Sequence, residues 1–306
     1  MQTKPTLNQW IAAFRPWSFP ASAMPALATI AFVYFRSRSG AELSDVNWTG
    51  GWIALVGAVI IHAGGNLFSD YFDYRHNVDR GETFGSSRLL VDGVFTPRTI
   101  YIYACSFMLF GIATGIYLSF QAGWQLVPIG LAGIAGAYFY YKLKYVALGD
   151  ALIFVIYGLL IALGTSVVLT GTCDAGVLLQ SAPIGFLVVN ILHANNTRDI
   201  LHDRKANIRT QAMLIGVKWS KFQYIALAVA SYLVIIALVV AQILPPLCLS
   251  TLLTAPIAIR NIRTMMTAEV GKPEKIKALD TASAQLVLMF SLLLVLSNLI
   301  SVYLCQ

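Results

Sequence analysis

The reading of this chain turns on two stretches. The first is His62-Ala-Gly-Gly-Asn66-Leu-Phe-Ser-Asp70-Tyr-Phe-Asp73-Tyr-Arg75-His-Asn-Val-Asp79, and the second is His193-Ala-Asn195-Asn196-Thr-Arg198-Asp199-Ile-Leu-His202-Asp203-Arg204-Lys205. Each closes a long apolar run. On a helix, Asn66, Asp70 and Asp73 fall at i, i+4 and i+7, within about 60° of one another. Asn195, Asp199 and Asp203 step by four in the same way. The pattern Asn-x3-Asp therefore occurs twice, at equivalent ends of two apolar segments, as a weak internal repeat of a four-helix unit. Asp79 falls where the first helix should break into a loop.

Outward from these stretches the chain is apolar. Of 306 residues, 58% are hydrophobic and 11% charged, and the mean hydropathy is +0.71. Soluble domains carry about 25% charged residues, so this composition excludes a soluble enzyme and a disordered chain alike. Nine segments approach the length of about 20 apolar residues that a membrane helix needs. They run over about 17–35, 51–72, 99–120, 124–141, 148–170, 177–197, 222–242, 245–263 and 284–303. The fold expected is all-α: nine transmembrane helices bundled around a central cavity open to the cytoplasmic side and to the bilayer, in one domain spanning 1–306.

Charge fixes an orientation. The N-terminus and the loops after spans two, four, six and eight hold 19 of the 21 Lys and Arg; the other side holds only Arg36 and Arg38. By the positive-inside rule the rich side is cytoplasmic, which places the N-terminus and both acidic motifs inside and the C-terminus outside. The net charge of +7 suits lipid headgroups and an anionic substrate, with no nucleic acid as partner. Cys105, Cys173, Cys248 and Cys305 are scattered and read as buried free thiols. The first 15 residues are polar and do not read as a signal peptide.

Carboxylates stacked on one helix face repel one another, increasingly so where the dielectric is low. Two such stripes at a membrane boundary are expected to hold cations. Oxygen donors without clustered Cys or His favour a hard ion, and Mg2+ commonly uses one or two carboxylates and shares a substrate phosphate. The candidate metal set is Asn66, Asp70, Asp73, Asp79, Asn195, Asp199 and Asp203. Arg75, Arg198, Arg204, Lys205 and Arg209, with Lys142 and Lys144, are candidates to share the charge of an anionic leaving group, Lys142 and Arg204 foremost. Tyr138, Tyr140 and Tyr141 could face a developing cation. His62 and His193 read as hydrogen-bonded cavity residues, and residues 75–98, with Gly81, Gly85 and Gly93, as the loop closing over the site.

Two Asp-rich motifs at the ends of spans two and six resemble the intramembrane aromatic prenyltransferases of the UbiA superfamily. The branch most similar is the 1,4-dihydroxy-2-naphthoate polyprenyltransferases of menaquinone synthesis. Phe14-Arg-Pro-Trp-Ser-Phe, Asn66 to Asp79, Leu143-Lys-Tyr through Gly149-Asp150, and Ile191 through Lys205 carry the likeness. Leu67 stands where the superfamily often has Asp, and Asn207-Ile208-Arg209-Thr210 where the branch often has Gly-Lys-Arg-Thr. The resemblance implies an integral protein of the bacterial inner membrane. It implies Mg2+-dependent transfer of a polyprenyl chain from polyprenyl diphosphate to 1,4-dihydroxy-2-naphthoate, releasing diphosphate and CO2. Asp70, Asp73, Asp199 and Asp203 would be catalytic, and Asn66, Asn195, Lys142, Arg204, Arg75, Tyr140 and Arg15 would bind substrate. Arg15 would meet the acceptor's carboxylate. Spacing alone leaves open other acceptors (4-hydroxybenzoate, haem, a glycerol-phosphate lipid), a cation-coupled transporter and a non-catalytic scaffold.

Overall fold

A computed structural model describes residues 5–40, 43, 45–80 and 87–304. Gly81, Gly85 and Cys305 lie outside the described residues. The regular structure among the described residues is helical apart from one isolated bridge, Val146 to Arg209. In order it contains α1 (Leu7–Ala13), a 3-10 turn (Pro16–Ser18), α2 (Pro20–Arg38), α3 (Trp48–Arg75), α4 (Pro97–Ala122) and α5 (Leu126–Tyr145). There follow α6 (Gly149–Ile153), a π-helical stretch (Phe154–Leu160), α7 (Ile161–Thr170), α8 (Ala175–Arg198) and α9 (Ile200–Lys205). The chain ends with α10 (Gln211–Val240), a 3-10 stretch (Pro246–Thr254), α11 (Ala255–Met266), a 3-10 turn (Pro273–Ile276) and α12 (Leu279–Leu304).

Local chemistry sets the boundaries. Asn47, Thr96 and Asp174 cap α3, α4 and α8, accepting from Gly50, Thr99 and Gly176 N–H groups at 2.8, 3.2 and 2.6 Å. A cap oxygen satisfies an amide that the helix itself leaves without a partner. Proline opens α2 and α4, where its missing N–H costs nothing. Gly123 and Gly171, with φ of 92° and 71°, end α4 and α7 in a conformation that a Cβ resists.

Among the described residues, seven helical segments are long and apolar enough to cross a membrane. The bent pair Leu7–Ser18 and Pro20–Arg38, at 55°, makes an eighth. The segment expected over 245–263 differs from the others: it begins as the 3-10 stretch and continues as α11, whose arginines lie along one side of an amphipathic helix. The segment expected over 222–242 starts at Gln211, and Gly216 (φ 74°) interrupts it.

One core joins α2, α8, α10 and α12 through Phe32, Ile184, Leu187, Ile235, Phe290 and Leu294. A second joins α1, α3 and α4 through Ala13, Leu67, Phe68, Phe95, Ile100 and Met108. Large apolar side chains such as Phe110, Phe120, Trp124, Leu131, Val240 and Leu253 point outward. On a protein in water such a surface would drive aggregation; in a bilayer it faces hydrocarbon. Cys248 is a buried free thiol as expected, whereas the free thiols Cys105 and Cys173 are half-buried and exposed.

Candidate active site

A cavity with a volume of about 1290 Å3 runs between α3, α5, α7, α8 and the start of α12. Its walls include Ala54 at one end of α3 and Asp73 near the other. Those positions are separated by about 28 Å of helix rise, close to the thickness of a bilayer core. Most of the lining is apolar. Polar groups gather at the end where the two acidic motifs meet: Asn66, Asp73, Asp79, Asn195, Asp199 and Asp203, with Arg15, Tyr140 and Lys144, all line it.

The first motif enters the chamber on a rotated stripe. His62, Gly65, Asn66, Ser69 and Asp73 of α3 line the space. At 100° per residue this face centres on the Ser69 side of Asn66. Asp70 lies at its far edge, buried, and does not line the chamber. Its carboxylate is bound by the Arg15 guanidinium and by Ser87, whose N–H and hydroxyl donate at 3.1 and 2.6 Å. Asp73 accepts from Lys144 Nζ at 3.2 Å and from the Tyr145 hydroxyl at 2.5 Å. Asn66 Nδ2 donates to the Phe14 carbonyl at 3.1 Å and to Ser18 Oγ at 3.0 Å. The Asn66 amide is thereby oriented with Oδ1 left over.

The second motif straddles a helix break. Asp199 is the C-cap of α8 and precedes α9. Arg198 grips it with a fork, Nε to Oδ1 at 2.9 Å and Nη2 to Oδ2 at 2.8 Å, and also reaches Asp280 of α12 at 3.1 Å. Asn195 Oδ1 is buried without a hydrogen-bond partner. Asp203 is buried on α9, and burial pushes its carboxyl up to about 7; Asp199 and Asp73 add to the rise, while Lys144 and Arg198 oppose it. The loops behind the motifs are tied together. Arg80 donates to the His202 carbonyl at 3.1 Å and Arg209 N–H to the Tyr145 carbonyl at 3.0 Å.

Among the described residues no three His, Cys, Asp or Glu side chains stand close enough to hold a metal. The acids are instead neutralised by cations of the chain itself: Arg15 on Asp70, Lys144 on Asp73, Arg198 on Asp199. The motif residues lining the chamber, Asn66, Asp73, Asp79, Asn195, Asp199 and Asp203, nevertheless suit a hard divalent ion, since each offers a carboxylate or amide oxygen. The buried, unpartnered Asn195 Oδ1 is the kind of group such an ion would satisfy.

Three expected basic contacts stand elsewhere. Arg75, Lys142 and Arg204 are exposed and do not line the chamber. Arg75 lies over the Tyr71 ring, and Lys142 over Phe139 and Tyr141. Helix geometry explains the exchange of Lys142 for Lys144. Tyr140 and Lys144 are four apart and share the inward face of α5, whereas Lys142 is turned about 200° from Tyr140. Tyr140 lines the chamber as expected; Tyr138 and Tyr141 are stacked among Phe68 and Phe72 instead. The sequence reading missed Tyr157 and Asp280, both on the chamber wall. Tyr157 sits on the π-helical stretch, edge-on to His62 with ring centroids 5.1 Å apart. His62 is the cavity residue expected, with Nδ1 2.9 Å from Ser22 Oγ.

The sequence pattern of the UbiA prenyltransferase family matches residues 26–284. The chain belongs to that family. It is 31% identical over 231 residues to the UbiA prenyltransferase domain-containing protein 1 of Xenopus tropicalis, covering 74% of this chain and 65% of that protein. The Homo sapiens protein of the same description is 31% identical over 231 residues, covering 74% and 66%. The Drosophila melanogaster homolog is 30% identical over 232 residues, covering 74% and 63%. The match thus spans just under two thirds of the length of these curated relatives. All are animal proteins, and they lend the expected bacterial membrane no support.

Solved UbiA structures share the fold. An apo UbiA homolog from Aeropyrum pernix K1 superposes with a TM-score of 0.70 at 15% identity, covering 90% of this chain and 97% of that one. A UbiA homolog from Archaeoglobus fulgidus bound to DMAPP and Mg2+ gives 0.57 at 11% identity, covering 94% and 99%.

Proposed function

We propose that this UbiA-family chain transfers a polyprenyl group from polyprenyl diphosphate to an aromatic acceptor, 1,4-dihydroxy-2-naphthoate. One observation carries the reading: both acidic motifs face a single chamber whose remaining wall is mostly apolar. That shape suits a molecule with a charged head and a long hydrocarbon tail. The A. fulgidus homolog, bound to DMAPP and Mg2+, supports a prenyl diphosphate and a divalent ion as occupants. In this reading the chain crosses the membrane nine times, the segment 246–266 included. The cavity opens to the bilayer and to the cytoplasmic face, where the N-terminus also lies.

Asn66, Asp73, Asp79, Asn195, Asp199 and Asp203 would hold Mg2+, and the bound ion would supply Lewis-acid charge to the leaving oxygens. Asp70 serves by fixing Arg15. Lys144, beside Asp73, places a fixed positive charge where diphosphate charge develops. Tyr140 and Tyr157 offer aromatic walls to the allylic cation formed as the C1–O bond breaks and its electron pair leaves with diphosphate. The electron-rich ring then bonds to C1, and loss of the carboxylate as CO2 restores its aromaticity. Arg15 lines the chamber near Asn66 and gives an acidic acceptor a counter-charge.

The test is an acceptor panel. Purified protein in lipid receives polyprenyl diphosphate, Mg2+ and one of 1,4-dihydroxy-2-naphthoate, 4-hydroxybenzoate, haem or a glycerol-phosphate lipid, with products read by mass spectrometry. A prenylated, decarboxylated naphthoquinol is expected. Product only with another acceptor overturns the naphthoate assignment. No product with any acceptor, together with ion flux in liposomes, replaces the enzyme by a transporter.

A further inference from the structure

Behind the second motif lies a buried polar cluster that this mechanism does not use. Asp150 opens α6, six residues after Lys144, and is buried. Its Oδ2 lies 2.6 Å from His193 Nδ1 and accepts from Gln223 Nε2 at 3.0 Å, while its Oδ1 accepts from Asn196 Nδ2 at 3.2 Å. His193 is fully buried, and its Nε2 stands 3.2 Å from the Ser220 carbonyl. A carbonyl and a carboxylate oxygen both accept, so Nε2 carries one hydrogen and a second proton is held in the contact between Nδ1 and Asp150. Gln223 is fixed in turn by Gln211 at 2.9 Å. One carboxylate thus gathers side chains from α8 and α10 at the point where α5 gives way to α6.

The cluster touches the chamber through one residue. Asn196 lines the wall beside Asn195 and Asp199. With Nδ2 committed to Asp150, its amide cannot flip without leaving that carboxylate short of a donor. The amide oxygen is therefore the end available to the chamber. Asp150 also reaches the first motif, because the same turn carries Lys144 and Tyr145, which both donate to Asp73.

We propose that Asp150 and His193 are positioning residues for the acid end of the chamber. They fix the Asn196 amide and the end of α8, and so the placement of Asn195 and Asp199 relative to Asp73. This rests on the prenyltransferase reading for its activity arm only. Partners behind metal-holding side chains typically matter by about 10–100-fold in metal affinity or activity.

The experiment is a double-mutant cycle on the full-length protein in lipid, using Asp150→Asn, Asn196→Ala and the pair. Three quantities are read: Mn2+ affinity without substrate, kcat and KM for prenyl transfer, and the thermal midpoint. Each single variant is expected to weaken Mn2+ binding and lower kcat by about 10–100-fold, with the pair no worse than the more damaging single. Gln223→Ala, which removes one of three donors, is the milder control for a variant that fails to fold. It is expected to lower kcat measurably less than Asp150→Asn. Wild-type Mn2+ affinity and kcat in folded Asp150→Asn overturn the proposal. So does strict additivity of the two changes, which would mark separate structural roles. If the unmodified protein transfers no prenyl group, the enzymatic reading fails while the Mn2+ arm still decides the positioning role.

Discussion

Lys144 Nζ stands 3.2 Å from Asp73 Oδ2, and this contact joins the end of α5 to the first acidic motif on the chamber wall. Lys142, two residues earlier, is exposed and lies over aromatic rings. The two lysines should separate cleanly in an assay. Lys144→Met is expected to lower turnover on the order of 10²–10³-fold, the cost of removing one preorganised charge at a developing anion. Lys142→Met should stay within about twofold, as exposed substitutions do. Steady-state kinetics on both variants checks this, with circular dichroism to confirm that each is folded.

The acids facing the chamber should be needed for binding the ion as well as for turnover. Asp73→Asn and Asp199→Asn are each expected to abolish product and to weaken Mn2+ binding. Excess EDTA should stop the unmodified protein, and added Mg2+ should restore it. Asp70 provides a contrast, because its carboxylate is engaged by Arg15 and Ser87 and does not line the chamber. Asp70→Asn should lose activity while keeping most of the Mn2+ affinity, measured by titration in the absence of substrate.

Much of this site is legible in the sequence. The repeated Asn-x3-Asp pattern, the apolar segments and the lopsided basic loops need only helix periodicity and the bilayer as solvent. What the sequence hides depends on packing angle. The stripe Asn66-Asp70-Asp73 has an arc of about 60°, but nothing local says on which side of it the chamber lies. The structure turns α3 so that Ser69 enters and Asp70 faces Arg15. On α5 a usable signal is present, since an inward Tyr140 commits Lys144 by i, i+4. Asp280 and Arg198 meet across 82 residues of chain, and no period in the sequence encodes such a contact. The π-helical stretch that carries Tyr157 is equally silent, because it adds a residue to a turn without changing composition.

Asp203 gives the site a pH dependence whose sign can be worked out. Its carboxyl is raised by burial to about 7, above the ordinary aspartate value of about 3.9. The folded protein thus takes up this proton more readily than the unfolded chain. The resulting stabilisation is full below about pH 4 and is lost as pH rises through about 7. Without divalent ion, Asp203→Asn should therefore flatten the fall in thermal midpoint between pH 5 and pH 8. Ion binding needs the carboxylate, so Mn2+ affinity should rise over the same range in the unmodified protein, with release of a proton. Melting curves and titrations in two buffers of different ionisation enthalpy check both.

Arg198 ties the second motif to α12 by holding Asp199 in a fork while reaching Asp280. Lysine keeps the charge but cannot make paired parallel bonds. Arg198→Lys should therefore lower kcat more than it raises KM, because Asp199 loses its orientation while the charge near the diphosphate remains. Asp280→Asn should be milder, since the fork on Asp199 survives. The ratio of the two kcat losses is the measurement, and equal losses would show that the link to α12, not the orientation of Asp199, is what matters.

Donor length should be set by the apolar part of the chamber. Gly133 lines it, and a Cβ built there meets no atom within 4 Å. A side chain at this position therefore has room for its Cβ on the chamber wall. Gly133→Leu narrows the route that a long tail must take while leaving Asn66, Asp73 and Asp203 untouched. The expected outcome is a rise in KM for long polyprenyl diphosphates, with short donors such as DMAPP processed at near the unmodified rate. Helix propensity acts in the same favourable direction, since leucine exceeds glycine by roughly 0.8 kcal/mol, so a loss confined to long donors cannot be ascribed to unfolding. Kinetics over a series of donor lengths checks this, and an equal loss at every length would place the tail elsewhere.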